Sequence, residues 1–103
     1  MSRIAMVVAV VLLTAMAMGA EKKGWVPKNG FVPDSQTATR IAEAVWIPIY
    51  GEEHIAKEKP FVAVLRGDTW HVRGTLPKGA VGGTAIAEIA KLDGRIIWVI
   101  HEQ

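Results

Sequence analysis

The most regular hydrophobic pattern in the chain lies between residues 30 and 53 and predicts one amphipathic helix. Apolar residues recur there at spacings of three and four, which places them on one face of a helix. They are Ala38, Ile41, Ala42, Val45 and Ile49. Thr39, Arg40 and Glu43 fall on the opposite, polar face. About four turns of helix cannot bury such a stripe alone, so the pattern requires a partner surface.

Both ends of this helix are marked by residue type. Asp34 is placed to be the N-cap, where its carboxylate accepts a hydrogen bond from a backbone N–H of the first turn. Gly51 is placed to end the helix in a left-handed conformation. Pro48 lacks an N–H, so we expect it to leave the Ala44 carbonyl unpaired and to bend the last turn.

After residue 60 the pattern changes to short β-rich runs separated by turn residues, which predicts four strands. They are expected at residues 61–65, 69–76, 84–91 and 95–101. The charged residues 52–59 before them are predicted to be a solvated loop with room for one helical turn. One helix followed by an antiparallel meander predicts an α+β domain, with the helix packed across one face of a curved four-stranded sheet.

Glycines mark the turns between these strands. The tripeptide Arg66-Gly67-Asp68 and the pair Asp93-Gly94 are typical of hairpin connections. Gly82 and Gly83 belong to a glycine-rich loop between the second and third strands, for which a loop or bulge is favoured over a phosphate cradle because another strand follows.

The second strand alternates between apolar and polar residues, as a half-buried antiparallel strand does. Its inner set is Trp70, Val72, Gly74 and Leu76. Its outer set is Thr69, His71, Arg73 and Thr75. This alternation predicts which side chains of the sheet face away from the helix.

The last strand is apolar on both faces, with Ile97 and Val99 on one side and Ile96, Trp98 and Ile100 on the other. Either the strand is central and covered twice, or a partner covers the outer face, because such a patch is large for a small domain. A tryptophan there is a candidate hot spot. The candidate protein-binding residues are therefore His71, Arg73, Thr75, Trp98 and Ile100.

The first twenty residues have the layout of a secretory signal peptide. A short cationic start that includes Arg3 precedes an apolar run and the small residues Gly19 and Ala20. Cleavage is predicted after Ala20, and cutting after Ala17 or Gly19 also fits. The alternative is an uncleaved N-terminal membrane anchor, since roughly 17 uncharged residues are at the short end of what spans a bilayer. Both alternatives predict a periplasmic or secreted remainder.

This leader divides the chain into three parts. Residues 1–20 are the predicted signal peptide, residues 21–29 a flexible lead-in, and residues 30–103 the folded domain. Within the lead-in, Trp25 is expected to cover one end of the core.

Composition excludes several classes of function. The formal net charge is only +2, and the lysines and arginines form no cluster of the kind that nucleic acid requires. Cysteine is absent, which excludes lipoprotein acylation and disulfides, so a core or a partner must stabilise this small domain. Ser35 is the only serine outside the leader, and its place in the first helical turn suits capping, so a Ser/His/Asp site is not predicted.

The three histidines give a weak signal for a metal. His54, His71 and His101 lack the short spacings of known metal motifs. His71, His101 and Glu88 could share the solvent face of neighbouring strands and hold a divalent ion. Exposed polar side chains are normal on such a face, so no metal, cofactor or catalytic residue is predicted.

Several short motifs in this order resemble bacterial immunity proteins of the nuclear transport factor 2-like (cystatin-like) fold. The matching segments are Gly30-Phe31-Val32-Pro33-Asp34, Ala38, Ile41-Ala42-Glu43-Ala44, Ile49-Tyr50-Gly51, Pro60, Trp70-x-Val72-x-Gly74-Thr75-Leu76-Pro77, Gly82-Gly83 and Asp93-Gly94-Arg95-Ile96. The resemblance covers nearly all of the chain after the leader.

The resemblance implies a small binding protein that neutralises a cognate toxin by occlusion, without chemistry. Together with the leader, it implies a toxin that acts in the periplasm, such as a cell-wall hydrolase or a pore former. Two alternatives remain open. One is a ligand-binding or enzymatic domain of the same fold, which requires a cavity with converging polar groups. The other is a structural module that forms a homodimer through the sheet.

Overall fold

Two helices and four strands make up residues 24–103, the part of the chain that the computed structural model describes. Helix α1 spans Ser35–Tyr50, α2 Glu52–Ala56, and the strands are β1 Val62–Arg66, β2 Thr69–Arg73, β3 Ala85–Ala90 and β4 Ile96–His101. The strands form one antiparallel sheet in the order β1-β2-β3-β4. This confirms the predicted α+β fold with one main helix on a four-stranded sheet.

The predicted signal peptide lies outside the described residues. Within residues 24–103, neither helix has the length and apolar character needed to cross a bilayer.

Helix α1 begins at the predicted cap. The Asp34 carboxylate accepts hydrogen bonds from the Thr37 hydroxyl at 2.6 Å and from the Thr37 backbone N–H at 2.8 Å. These two bonds hold the pKa of Asp34 below its ordinary value, because both favour the ionised carboxylate. The cap therefore satisfies one of the first-turn N–H groups that have no partner within the helix.

The helix continues through Pro48 and ends at Gly51, as the sequence predicts. The Gly51 N–H donates to the Ile47 carbonyl at 2.8 Å. The Gly51 backbone has φ 96° and ψ 142°, a region that only glycine adopts readily, and differs from the left-handed helical values expected. The same residue starts α2, because its carbonyl accepts the Ile55 N–H at 3.1 Å.

The buried stripe of α1 differs in part from the predicted one. Ala38, Ala42 and Trp46 are fully buried, whereas Ile49 is 56% exposed, so the inward assignment of Ile49 is wrong. Successive steps of four residues along the helix lead from Ala38 to Ala42 and then to Trp46. The small side chains of the two alanines let the backbone of α1 come close to the sheet. The Trp46 ring meets the Phe61 ring edge-on, with the centroids 5.3 Å apart.

Inward side chains of all four strands complete the core beneath α1. They are Ala63, Trp70, Val72, Ala85, Ala87, Ile89 and Val99. The Trp70 indole donates to the Val32 carbonyl at 2.8 Å, which ties the extended segment before α1 to the sheet. The helix and the inner sheet face therefore share a single hydrophobic core.

Strand β2 ends at Arg73, three residues earlier than predicted. Beyond Arg73 the chain turns toward the segment that follows α2: the Thr75 N–H donates to the Glu58 carbonyl at 2.7 Å and the Thr75 hydroxyl to the Pro60 carbonyl at 2.6 Å. The placement of Thr75 on the outer row of the sheet is therefore wrong, as is the inner-row placement of Leu76, which is 38% exposed.

A β-bulge between β3 and β4 changes which residues of β4 face outward. Trp98 lies opposite Glu88, but the next pair joins Ile96 to Ile89, so Ile97 is the additional residue. Because Ile89 is buried in the core, Ile96 leaves the outer row to which simple alternation assigned it. Only Trp98 and Ile100 of β4 continue that row.

Two expectations for the connecting segments are also wrong. Residues 52–59 do form one helical turn, but Ile55 and Glu58 within them are buried instead of solvated. Trp25 is 77% exposed, so it does not cover the core.

Candidate functional site

The sheet surface that faces away from α1 is the candidate binding site and is called the outer sheet face below. The strand register aligns two rows of side chains across all four strands. One row is Val64, His71, Glu88 and Trp98, and the other is Val62, Arg73, Ile86 and Ile100. Residues in one row are direct cross-strand neighbours, so their side chains form one continuous surface.

Most of the outer sheet face is apolar and accessible to solvent. Trp98 is 42% exposed and Ile100 49% exposed, and Val62 and Val64 are exposed on the opposite edge strand. Ile86 lies between these edges and is nearly buried. Exposed apolar side chains that adjoin one another in this way mark interaction surfaces more often than isolated ones do.

Polar groups divide this apolar surface. The His71 ring lies beside the Glu88 carboxylate, with Nδ1 3.4 Å from Oε1, and both side chains are largely buried by their neighbours. Arg73 is exposed at the end of β2. Tryptophan and arginine are both enriched in protein interfaces, and Trp98 and Arg73 lie on this same face with β3 between their strands.

The structure brings together four of the five residues proposed for protein binding. His71, Arg73, Trp98 and Ile100 share the outer sheet face, because β4 joins the sheet beside β3 with the register given above. Thr75 is the exception, since it lies beyond the end of β2.

A second group of polar side chains lies on the opposite side of the sheet, near the end of β4. It consists of His54, Glu58 and His101 and is called the His–Glu–His cluster. His54 lies on α2, and Glu58 follows four residues later, just past the end of that helix, so the two side chains are on the same side of the chain. His101 is opposite Ala85 in the register, on the inner side of the sheet.

Glu58 is the fixed member of this cluster. It is 4% exposed, and its Oε1 accepts the Ala85 backbone N–H at 2.8 Å. The chain packs so closely here that a Cβ on Gly74 would lie 2.5 Å from Glu58 Oε1 and 2.8 Å from Glu58 Cβ. Gly74 is therefore required by the close approach of Glu58.

The remaining carboxylate oxygen of Glu58 meets both imidazoles. Glu58 Oε2 lies 2.8 Å from His101 Nε2 and 3.0 Å from His54 Nε2, and the two Nε2 atoms are 3.1 Å apart. The other ring nitrogen of His101, Nδ1, donates to the Glu102 carbonyl at 2.8 Å.

The pKa of His101 reflects opposing effects. Partial burial lowers the pKa, but the hydrogen bond to Glu58, the bond to the Glu102 carbonyl and the Glu58 charge together outweigh burial and raise the pKa above its ordinary value. The surroundings of His101 therefore favour the protonated form of its ring.

A cleft of about 480 Å³ opens beside the His–Glu–His cluster. Its lining includes the three cluster residues and Leu76, Pro77 and Val81 of the glycine-rich loop. The cleft is at the edge of the fold and not beneath α1, where the apolar core lies.

Sequence reasoning missed this cluster and assigned His101 to the wrong face. The combination of His71, His101 and Glu88 does not form, because only His71 and Glu88 meet on the outer sheet face. Two signals were available: the spacing of four between His54 and Glu58, and the shared parity of His101 with Val99 on β4. Neither signal indicates that α2 and the end of β4 lie side by side in the fold.

Comparisons with known proteins give one family and two relatives. The model of the family described as NTF2 fold immunity protein matches residues 37–103. The uncharacterized protein YhhH of Escherichia coli (strain K12) is 32% identical over 78 residues, which cover 75% of this chain and 61% of YhhH. The uncharacterized protein YbbC of the same strain is 34% identical over 67 residues, which cover 64% of this chain and 55% of YbbC.

The chain thus spans less than two thirds of the length of either relative. No solved structure shows significant similarity to it.

Proposed function

The chain belongs to the family of NTF2 fold immunity proteins, and we propose that it is a non-catalytic periplasmic immunity protein that binds its cognate toxin through the outer sheet face. The family match confirms the resemblance identified in the sequence. The family implies neutralisation of a toxin, while the periplasmic location, the binding surface and the absence of catalysis belong to the proposal.

The observation that carries the proposal is the exposed apolar surface around Trp98. Trp98 and Ile100 project from the edge strand β4, and Arg73 lies on the same face two strands away. Val62 and Val64 extend the apolar surface on the opposite edge. Burying an aromatic anchor of this kind against a partner excludes water from the contact and supplies a large share of the affinity. Neutralisation by occlusion requires this complementary surface and no bond-making step.

The periplasmic location rests on the leader. Residues 1–20 carry the charge, apolar run and small residues of a signal peptide. A protein exported in this way meets its toxin outside the cytoplasm, so we expect the cognate toxin to act on the cell wall or on the membrane from the periplasmic side.

The test is a growth assay with a large secreted effector encoded beside the gene. The effector is expressed with and without an export signal, together with the full chain or its variants. We expect the wild-type chain to restore growth only when the effector is exported. Trp98→Ala should weaken toxin binding at least about 30-fold, because removing a central aromatic anchor costs about 2 kcal/mol or more.

Ile49→Ala is the matched control, since Ile49 is also a large exposed apolar residue but lies on α1. This variant should protect cells as well as the wild-type chain does. Full protection by Trp98→Ala would refute the outer sheet face as the binding surface. Failure of the wild-type chain to protect, combined with sedimentation as a dimer that Trp98→Ala converts to monomer, would instead identify a structural module that dimerises through the sheet.

A further inference from the structure

We propose that His54, Glu58 and His101 form a binding site for one Zn²⁺ ion. The proposal is independent of toxin binding, because the His–Glu–His cluster and the outer sheet face lie on opposite sides of the sheet. It rests on the spacing of the three ligand atoms, on the orientation of the His101 ring and on the way the side chains are held.

The spacing of the ligand atoms fits a zinc ion. Zinc binds histidine nitrogen at about 2.0–2.1 Å and carboxylate oxygen at about 2.0–2.2 Å, usually with tetrahedral geometry. Two ligands of a tetrahedron with such bonds are about 3.3–3.4 Å apart. The three edges here are 2.8, 3.0 and 3.1 Å, so the atoms form a nearly equilateral triangle slightly smaller than one face of that tetrahedron. Small outward shifts of the side chains would admit the ion.

The hydrogen bond from His101 to Glu102 orients the His101 ring as a metal ligand. His101 Nδ1 donates to the Glu102 carbonyl, so the neutral ring presents the lone pair of Nε2 toward Glu58 Oε2. Glu58 Oε2 is an acceptor as well when the carboxylate is ionised. A Zn²⁺ ion would take the place of the proton in the hydrogen bond between these two atoms. A backbone carbonyl on the far nitrogen is also the usual second partner of a histidine that binds zinc.

The ligands are held in place by the fold. The Ala85 N–H and the close approach of Gly74 fix the Glu58 carboxylate. The Tyr50 ring meets the His101 ring edge-on, with the centroids 5.2 Å apart. Only His54 is largely exposed, on the short helix α2. A site with two buried or half-buried ligands and one exposed ligand can accept an ion without rearrangement of the core.

Two histidines and one carboxylate leave the fourth position of the zinc ion open. Three protein ligands with an open position are typical of zinc sites that take a water molecule or an exogenous ligand atom. The cleft adjoins the cluster, so a fourth ligand could enter from there. The bound ion would also join α2 to the end of β4, which are linked here only by side chains.

The test uses the full chain without a histidine tag, freed of metal with a chelator and titrated with ZnCl2 by calorimetry. We expect one Zn²⁺ per chain and a rise in Tm on binding, because an ion that binds only the folded state stabilises it. Co²⁺ in place of Zn²⁺ should give the visible absorption of a tetrahedral site. His54→Gln should weaken zinc binding at least about tenfold. This substitution is suitable because His54 is exposed and outside the core.

His71→Gln is the matched control, since His71 is the remaining histidine of the chain and also lies beside a glutamate. This variant should keep the wild-type affinity and stoichiometry. His101→Gln should lose binding, with circular dichroism confirming that the variant is folded. No stoichiometric binding by the wild-type chain, or equal loss in His54→Gln and His71→Gln, would overturn the proposal.

Discussion

Trp46→Ala is expected to lower the free energy of unfolding by about 3–5 kcal/mol, the range for truncating a large buried aromatic side chain. Trp46 is fully buried between α1 and the sheet and is among the largest fully buried side chains of the described residues. It contacts Phe61, and its indole N–H points to the Ile86 carbonyl at 3.4 Å. A domain of this size is stable by only about 4–12 kcal/mol, so the variant should be close to unfolding. Urea denaturation followed by circular dichroism measures the change.

Trp25→Ala is the control for Trp46→Ala. It makes the same chemical change at a side chain that is 77% exposed, so we expect the stability to change by less than about 0.5 kcal/mol. Similar losses in the two variants would show that Trp46 is not the centre of the core.

Gly74→Ala is expected to cost about 3 kcal/mol, although it adds a single methyl group. The new Cβ would collide with the Glu58 side chain, which is buried and cannot move into solvent. Overpacking costs about 1–3 kcal/mol, and displacing the carboxylate would leave the Ala85 N–H unpaired at a similar cost. Urea denaturation gives the stability, and hydrogen exchange of the Ala85 amide reports on the lost bond.

Gly67→Ala separates this steric effect from the cost of backbone conformation. Gly67 has φ 61°, and a Cβ there meets nothing within 4 Å, so its replacement should cost about 1 kcal/mol and leave Ala85 exchange unchanged. A Gly74→Ala variant as stable as wild type, with slow Ala85 exchange, would show that Glu58 is not held as described.

Features that depend on neighbouring residues could be predicted from the sequence. The cap at Asp34, the end of α1 at Gly51 and the hairpin turn at Gly67 each follow from the chemistry of a few adjacent residues. The meander order follows as well, because short connections between strands favour antiparallel neighbours. These local rules were sufficient to give the fold class.

Features that depend on contacts between distant segments could not be predicted in this way. β2 ends early because Thr75 bonds to the segment around Glu58, and alternation along β2 contains no sign of that segment. The bulge beside Ile97 shifts the register by one residue, which moves Ile96 to the other face. Trp98 and Ile100 nevertheless lie on the predicted face, because both follow the bulge on β4.

The His–Glu–His cluster, the proposed zinc site, also depends on contacts between distant segments and could not be predicted from local patterns. His54 lies on α2, Glu58 in the segment that follows α2, and His101 on β4, and 43 residues separate Glu58 from His101. The sequence contains all three ligand types, but only the packing of α2 against the end of the sheet brings them together. The assignment of residues 52–59 to a solvated loop hid Glu58, the most buried of the three.

Strand β4 connects the two proposed sites. Trp98 and Ile100 face the outer sheet surface, while His101 at the end of the same strand belongs to the His–Glu–His cluster. Zinc would therefore anchor the end of the strand that carries the toxin-binding residues. Measuring toxin affinity with and without ZnCl2 shows whether this anchoring reaches the outer sheet face.

The most direct test of the account is hydroxyl-radical footprinting of the tryptophans with and without the toxin. Trp98 and Trp25 are both exposed in the free chain, whereas Trp46 and Trp70 are buried, so one sample contains the probe and its internal controls. If the toxin binds the outer sheet face, it will slow the oxidation of Trp98 and leave that of Trp25 unchanged. Equal oxidation of Trp98 in the free and toxin-bound protein would contradict the account.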